Sequence, residues 1–100
     1  MNMQALMKQA QAMQKEITGI KSEIDNTDFE GKSSLVTVVV KGTKELVSVK
    51  ISDEAKDLLN DDMSMLEDMI VVALNDAFSK VDKTTEEKMG KYSNMMNGLM

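Results

Sequence analysis

The feature that most constrains this fold is the spacing of apolar residues in the first quarter of the chain. Between residues 6 and 24 these residues recur at alternating intervals of four and three, which is a heptad seam. The seam consists of Leu6, Ala10, Met13, Ile17, Ile20 and Ile24. So narrow a seam is typical of a helix that meets one other helix along a line, whereas a helix in a globular core carries a broader stripe. We therefore expect a projecting helix over residues 3–25, roughly 33 Å long.

The middle of the chain changes to the period of two that is typical of strands. In SLVTVVVKG one face carries Val36, Val38 and Val40. In LVSVKIS the corresponding face carries Val47, Val49 and Ile51. The segment KGTKE joins the two strands, and Gly42 is its natural turn residue, so a hairpin with one fully apolar face is expected. The preceding DFEGKS segment is a candidate third strand, which places the strands between residues 28 and 52.

A second long helix is predicted over residues 62–90. A single helical turn over residues 53–59, with Ser52 as its cap, precedes it. The apolar residues that follow are spaced by three and four, and Val71 and Val72 widen their stripe, so this helix is expected to be buried on more than one side. The periodicity is lost in the last residues, and residues 93–100 are predicted to form a flexible tail.

Acidic residues at the start of this helix have a structural explanation. Ser64 and Glu67 have the spacing of a capping box, and Asp61 and Asp62 are suited to the positive end of the helix dipole. A metal site is disfavoured because the sequence contains no His and no calcium-loop spacing. We therefore expect neither a metal nor a cofactor.

These elements predict an α+β fold in a single domain over residues 1–92: a long N-terminal helix, a small antiparallel sheet of two or three strands, and a long C-terminal helix. One helix cannot cover both faces of the sheet. A second helix that lies on the sheet would also leave the seam of the first helix without a partner. A chain of 100 residues buries only about 60–65% of its unfolded surface, so its stability margin is small. We therefore expect a homodimer.

Charge is distributed unevenly along this chain of net charge -5. Residues 1–15 contain Lys8 and Lys15 and no acid, whereas in residues 53–76 acidic residues far outnumber the single Lys56. On the heptad assignment Lys8 and Lys15 lie opposite the seam and point to solvent. The first helix can therefore present positive charge to a polyanion although the whole chain is negative.

Several segments together resemble the YbaB/EbfC family of bacterial nucleoid-associated proteins. They are LMKQAQAMQKEI, the FEG turn, LVTVVVKG, VKIS, DDMSMLEDMIVVALNDAFSKV and EKMGKYS, which together span nearly the whole chain. The resemblance implies a tweezer-shaped homodimer in which joined sheets and second helices form the body, while terminal helices project and grip duplex DNA. The chain departs from the family pattern after Gly31, where Lys32, Ser33 and Ser34 replace a glycine-rich stretch, and it contains no Pro.

The candidate DNA-binding residues are Gln4, Lys8, Gln11, Lys15, Lys88 and Lys91. All twelve basic residues are lysines, which act on phosphate chiefly as point charges, so sequence preference should be low and should depend on glutamine amides. A solvated helix surface explains the lysines equally well, above all Lys88 and Lys91, whose acidic neighbours weaken the local field. The resemblance to the YbaB/EbfC family is the reason that DNA binding is placed first among the candidate functions. Contact through six to eight lysines predicts a slope of roughly -5 to -7 in log affinity against log salt.

Two other functions remain open on the sequence. One is a homodimeric protein-interaction module that uses a Met-rich helical clasp and binds little or no DNA. The other is a secreted helical-hairpin protein, which would contain no strands. An enzyme acting on a small-molecule substrate is not expected, because the chain has no His, no Cys and no phosphate-binding glycine loop. Without the pattern of a signal peptide or a membrane span, the predicted location is the cytoplasm, in association with the nucleoid.

Overall fold

A computed structural model describes residues 2–59 and 62–99 of the chain, without the side chains of residues 58, 59, 91 and 93–99. The elements are α1 (Met3–Asp25), β1 (Asp28–Ser33), β2 (Val36–Lys41), β3 (Leu46–Ile51), α2 (Ala55–Leu59) and α3 (Met63–Leu99). The strands form one antiparallel sheet in the order β1-β2-β3. The predicted α+β architecture is confirmed, and the DFEGKS segment is its third strand.

The core lies between one face of β1 and β2 and the first half of α3. Val36, Val38 and Val40 are fully buried, as their alternation predicts, and opposite them on β1 lie Ser33, Gly31 and Phe29. From α3 the core receives Ala73, Ala77 and Val81. Small residues on the helix allow close packing: a Cβ on Gly31 would collide with the carbonyl oxygen of Ala73. This contact fixes the height of the helix above β1.

Side chains of α3 also cover the outer edge of β1. The backbone N–H of Lys32 donates to Asp76 Oδ2 at 3.1 Å, and Lys80 Nζ donates to the carbonyl of Glu30 at 2.7 Å. Asp76 and Lys80 are one turn apart and form an ion pair at 3.4 Å. An uncovered strand edge is a site for unwanted pairing with other chains, so these two side chains protect β1 as well as orienting α3.

The pairing of β2 with β3 departs from the sequence prediction at one end. Val36 lies opposite Ile51 and Val38 opposite Val49, as expected, but a β-bulge shifts the register so that Val40 pairs with Leu46. Val47 is therefore not the partner of Val40, because the bulge places an extra residue in β3.

The turn between β2 and β3 also differs from the prediction. Lys44, with φ 72, adopts the left-handed conformation in this turn, and Gly42 does not. The glycine is needed for another reason. A Cβ on Gly42 would collide with the carbonyl of Ile24, where the end of α1 crosses the hairpin.

Helix α3 is longer than its predicted end near residue 90, since its backbone continues to Leu99. Asp62 caps its start, accepting from the Ser64 hydroxyl at 2.5 Å. The first half of the helix lies on the sheet, and the second half runs beyond the sheet and packs on α1. The molecule measures 71 × 22 × 13 Å, and its radius of gyration of 19.9 Å exceeds the roughly 13 Å of a compact domain of this length. A flexible tail over residues 93–100 stays a prediction.

The molecule has two regions, a body and an arm. The body comprises β1, β2, β3, α2 and residues 63–84 of α3; the arm comprises α1 and residues 85–99 of α3. Within one chain, α3 is long enough to cover the sheet with one half and to meet the inner end of the α1 seam with the other, and the expected second chain stays a prediction. Val71 and Val72 are each more than half exposed, so within one chain α3 is not buried on more than one side.

Candidate nucleic-acid interface

The seam of α1 is covered only at its inner end. Ile24 is buried, Ile20 packs against the core, and Ile17 and Met13 are half-buried. Leu6 and Ala10, at the outer end of the seam, are exposed. Burial therefore declines from the body toward the N-terminus of α1, and the first turns of α1 are exposed to solvent.

Two polar contacts hold α1 against α3 along the arm. Tyr92 Oη donates to Glu16 Oε2 at 2.6 Å, and Lys88 Nζ pairs with Glu23 Oε1 at 2.9 Å. Because the later residue of α3 meets the earlier residue of α1, the two helices are antiparallel. Tyr92 is only 7% exposed. Sequence analysis assigned this tyrosine no role, although it is four residues from Lys88 and so on the same face of the helix.

The N-terminus of α1 begins with a cap and carries no negative charge. The Asn2 side chain accepts from the backbone N–H groups of Gln4 at 3.0 Å and Ala5 at 3.4 Å. The first turn contains no acidic residue. The positive end of the helix dipole is therefore not neutralised by a carboxylate in that turn.

The four candidate residues of α1 form one continuous surface, which we call the outer stripe: Gln4, Lys8, Gln11 and Lys15. Their spacing of four, three and four places them on one face of the helix, along about 16 Å of its axis. All four are exposed, and the helical period puts them opposite the seam. Lys8 and Lys15 make no ion pair with any residue that the structure describes.

Five other lysines of the described chain are paired with carboxylates, whereas four in the body make no ion pair with a described residue either: Lys41, Lys50, Lys56 and Lys83. Ion pairs join Lys21 to Asp25, Lys32 to Glu30, Lys44 to Asp82, and Lys80 to Asp76. Lys88 belongs with them through Glu23, which weakens it as a phosphate ligand unless DNA displaces that carboxylate. The side chain of Lys91 lies outside the described part of the chain. The structure thus brings together four of the six candidate residues and separates Lys88 from them.

Two carboxylates of the described residues have clearly shifted pKa values: Asp62, just before α3, and Asp76, within α3. The Ser64 hydroxyl bound to Asp62 lowers the pKa of that carboxyl. The Lys32 backbone N–H, aided by the charge of Lys80, lowers the pKa of Asp76. Both shifts favour the ionised form, so these groups stay negative at neutral pH. Neither carboxylate belongs to the arm.

The described residues offer neither a metal-binding cluster nor a membrane-spanning helix. Side chains of His, Cys, Asp or Glu do not gather there in any group of three that could hold a metal ion. None of the helices in that part of the chain is both long and apolar enough to cross a membrane.

Comparison with known proteins gives a consistent result. Residues 1–96 match the YbaB/EbfC DNA-binding family. A nucleoid-associated protein of Ligilactobacillus salivarius is 46% identical, with 99% of this chain and 95% of the relative covered. One from Enterococcus faecalis is 36% identical over 97% of this chain and 93% of the relative. The crystal structure of the uncharacterized protein HP0035 from Helicobacter pylori superposes with a TM-score of 0.68 at 26% identity, covering 96% of this chain and 98% of the other.

Proposed function

Because the chain belongs to the YbaB/EbfC DNA-binding family, we propose that it is a nucleoid-associated protein of the cytoplasm that binds duplex DNA with low sequence specificity. It acts as a homodimer, and the outer stripe of each arm supplies the contact. The observation that carries this proposal is the stripe itself: two lysines without carboxylate partners in the described chain, on an acid-free helix end that points away from an acidic body.

The chemistry of the stripe explains both binding and low specificity. Lysine ammonium groups displace counterions from phosphates, a contribution that does not depend on base sequence. Lys8 and Lys15 are about 10 Å apart along the axis, so their flexible side chains can reach separate phosphates. Gln4 and Gln11 alternate with them and can pair with adenine edges, but the chain has no Arg for a bidentate contact with guanine.

The proposed dimer rests on an apolar surface that one chain leaves open. Val49 and Ile51 belong to the sheet face on which α3 packs, yet each is 42% exposed, because α3 covers β1 and β2 rather than β3. Asp76 and Lys80 turn one flank of α3 toward the edge of β1, so the opposite flank, with Val71, borders the open face of β3. A second copy packed there would bury both surfaces and join two arms in one molecule.

A salt titration of duplex binding tests this function. If the dimer uses only Lys8 and Lys15 of each arm, log affinity should fall with log salt at a slope of about -4, and recruitment of Lys88 and Lys91 would steepen it toward -5 to -7. Oligomeric state is measured alongside by light scattering. A flat salt dependence, or no retardation of duplex DNA at low salt, would overturn the proposal and favour a protein partner.

A charge reversal locates the contact. Lys8→Glu with Lys15→Glu should weaken binding at least tenfold, since two attractions per arm become repulsions. The matched control is Lys56→Glu with Lys83→Glu, which makes the same change in net charge at exposed positions of the body. Both variants should remain dimeric. Equal losses in the two variants would show that total charge matters and the arm does not.

A further inference from the structure

Two methionines at the tip of the arm have no function in the fold or in the proposed phosphate contact. Met3 and Met7 are 71% and 59% exposed. They are one turn apart on α1, so their side chains lie next to each other. Met7 follows Gln4 by three residues and precedes Gln11 by four, so Met7 borders the outer stripe, and Met3 lies between Met7 and the seam. Leu6 lies on the seam instead and is not part of the pair.

The charge around these methionines indicates what covers them. A second copy is a poor partner, because each tip carries Lys8 and Lys15 without an acid from Asn2 to Lys15, and two such tips repel each other. The same charge attracts a polyanion. A surface that touches phosphates with one stripe brings its neighbouring stripe against the same duplex. The methionines are therefore placed to meet DNA.

We infer that Met3 and Met7 form an apolar wedge that enters a base-pair step while the outer stripe holds the phosphates. This inference rests on the proposed DNA-binding function. The sugar-phosphate backbone offers charge, whereas the faces of the bases offer the apolar surface that a thioether side chain can bury. Inserted apolar side chains, Met among them, partly unstack a step and bend the duplex by about 20–90°.

The wedge gives this chain a way to prefer some sequences without reading bases. Pyrimidine–purine steps such as TA and CA/TG unstack most easily, so insertion costs least there. The lysines contribute no such preference, since phosphates are the same at every step. Duplexes with a central TA step should therefore bend more at saturation than duplexes in which that step is replaced by a stiff A-tract.

The test compares bending and affinity in one set of variants. A duplex of roughly 30 base pairs with a central TA step carries a donor and an acceptor dye at its ends, and energy transfer reports bending at saturating protein. A second duplex has 2-aminopurine beside the step, whose fluorescence rises on unstacking. The variant Met3→Ala with Met7→Ala keeps both lysines and good helix formers. The control is Met63→Ala with Met65→Ala, two exposed methionines of the body.

Wild type and control are expected to bend the duplex and raise the 2-aminopurine signal. The Met3/Met7 variant should still bind, with the same salt slope, while its bend falls below about 20° and the fluorescence rise disappears. A wild-type protein that binds a straight duplex would overturn the wedge and leave the proposed function intact. Bending retained in the Met3/Met7 variant, or its failure to bind at any concentration, would also overturn the wedge. Absence of wild-type binding at low salt would overturn both proposals.

Discussion

The body and the arm differ in how completely their apolar side chains are buried. In the body, three valines of one strand are fully buried beneath alanines of α3, and a glycine lets the helix approach the sheet. In the arm, two helices touch along one line, and burial declines from Ile24 to the exposed Leu6. The body therefore holds most of the apolar burial that stabilises the fold, while the arm exposes surface for binding.

Because of this difference, substitutions in the body and in the arm should have different effects. Contacts of the body are dense and apolar, so their disruption should cost several kcal/mol. The arm depends on half-buried side chains and on exposed polar contacts such as Lys88 with Glu23, which contribute about 0–1 kcal/mol each. Substitutions in the arm should change binding more than folding, and substitutions in the body the reverse.

The largest expected effect is that of Val38→Asp in the body. Its side chain is fully buried between sheet and helix, so a carboxylate there would have neither water nor a partner. A cost of about 3–5 kcal/mol consumes much of the stability of a small domain, and the helical circular dichroism should be largely lost at 37 °C. Ser48→Asp, on an exposed position of β3, is the control and should remain folded.

An equivalent substitution in the arm should do less. Ile17→Asp adds the same charge at a half-buried position of the seam, where the carboxylate can reach water. The expected loss is about 2 kcal/mol, seen as a lower melting temperature of a protein that still folds. Thr18→Asp places the charge on the adjacent exposed position and should leave the melting temperature nearly unchanged. An Ile17 variant as stable as the Thr18 variant would argue that the seam does not pack on α3 in solution.

A smaller effect is expected from Tyr92→Phe, which keeps the ring and removes the hydroxyl that donates to Glu16. Loss of one such hydrogen bond should reduce the free energy of unfolding by about 0.5–1.5 kcal/mol. Chemical denaturation measures the change, and amide exchange in α1 should accelerate more than exchange in β2. Equal acceleration in both elements would contradict the division into body and arm.

The smallest effect concerns pH and the contact of Asp76 with β1. Its pKa is lowered in the folded protein, first by the Lys32 backbone N–H and then by Lys80. A lowered folded pKa means that the stabilisation is complete above the unfolded pKa and is lost as pH falls through the folded pKa. Asp76→Asn should therefore destabilise the protein slightly at neutral pH, and the difference from wild type should shrink below about pH 4.

The control for this pH effect is Asp68→Asn, which removes an exposed carboxylate from the same helix. Denaturation midpoints of the three proteins from neutral to acidic pH give the comparison. A wild-type advantage over Asp76→Asn that grows on acidification would contradict the proposed origin of the shift.

Much of the fold follows from the periodicity of the sequence. The structure differs from the prediction where contacts between distant segments determine the local conformation. Alternation identified the buried face of β2 because one residue in two must face the helix. The bulge that displaces Val47 depends on how β3 twists against β2, which residue spacing does not encode. Gly42 was expected to make the turn, but its lack of a side chain is required by the approach of Ile24, a contact between segments far apart in sequence.

The arm shows the same limit. The heptad pattern indicated a partner helix, but the pattern alone could not tell a helix of the same chain from a helix of a second copy. Charge composition located the outer stripe, since Lys8 and Lys15 share a face with Gln4 and Gln11 by helical period alone. The pairing of Lys88 with Glu23 required the antiparallel register of α1 and α3, which became visible only in the structure.

Mapping of DNA contact on the protein by NMR tests most directly whether the arm is the surface that meets DNA. Amide resonances are assigned and followed while a short duplex is added at low salt. Binding by the arm predicts that shift changes concentrate at residues 3–15 of α1, and that resonances of β2 in the body stay in place. Changes centred on the sheet or on α2, with the N-terminal half of α1 unaffected, would contradict the central claim that the acid-free arm is the surface that meets DNA.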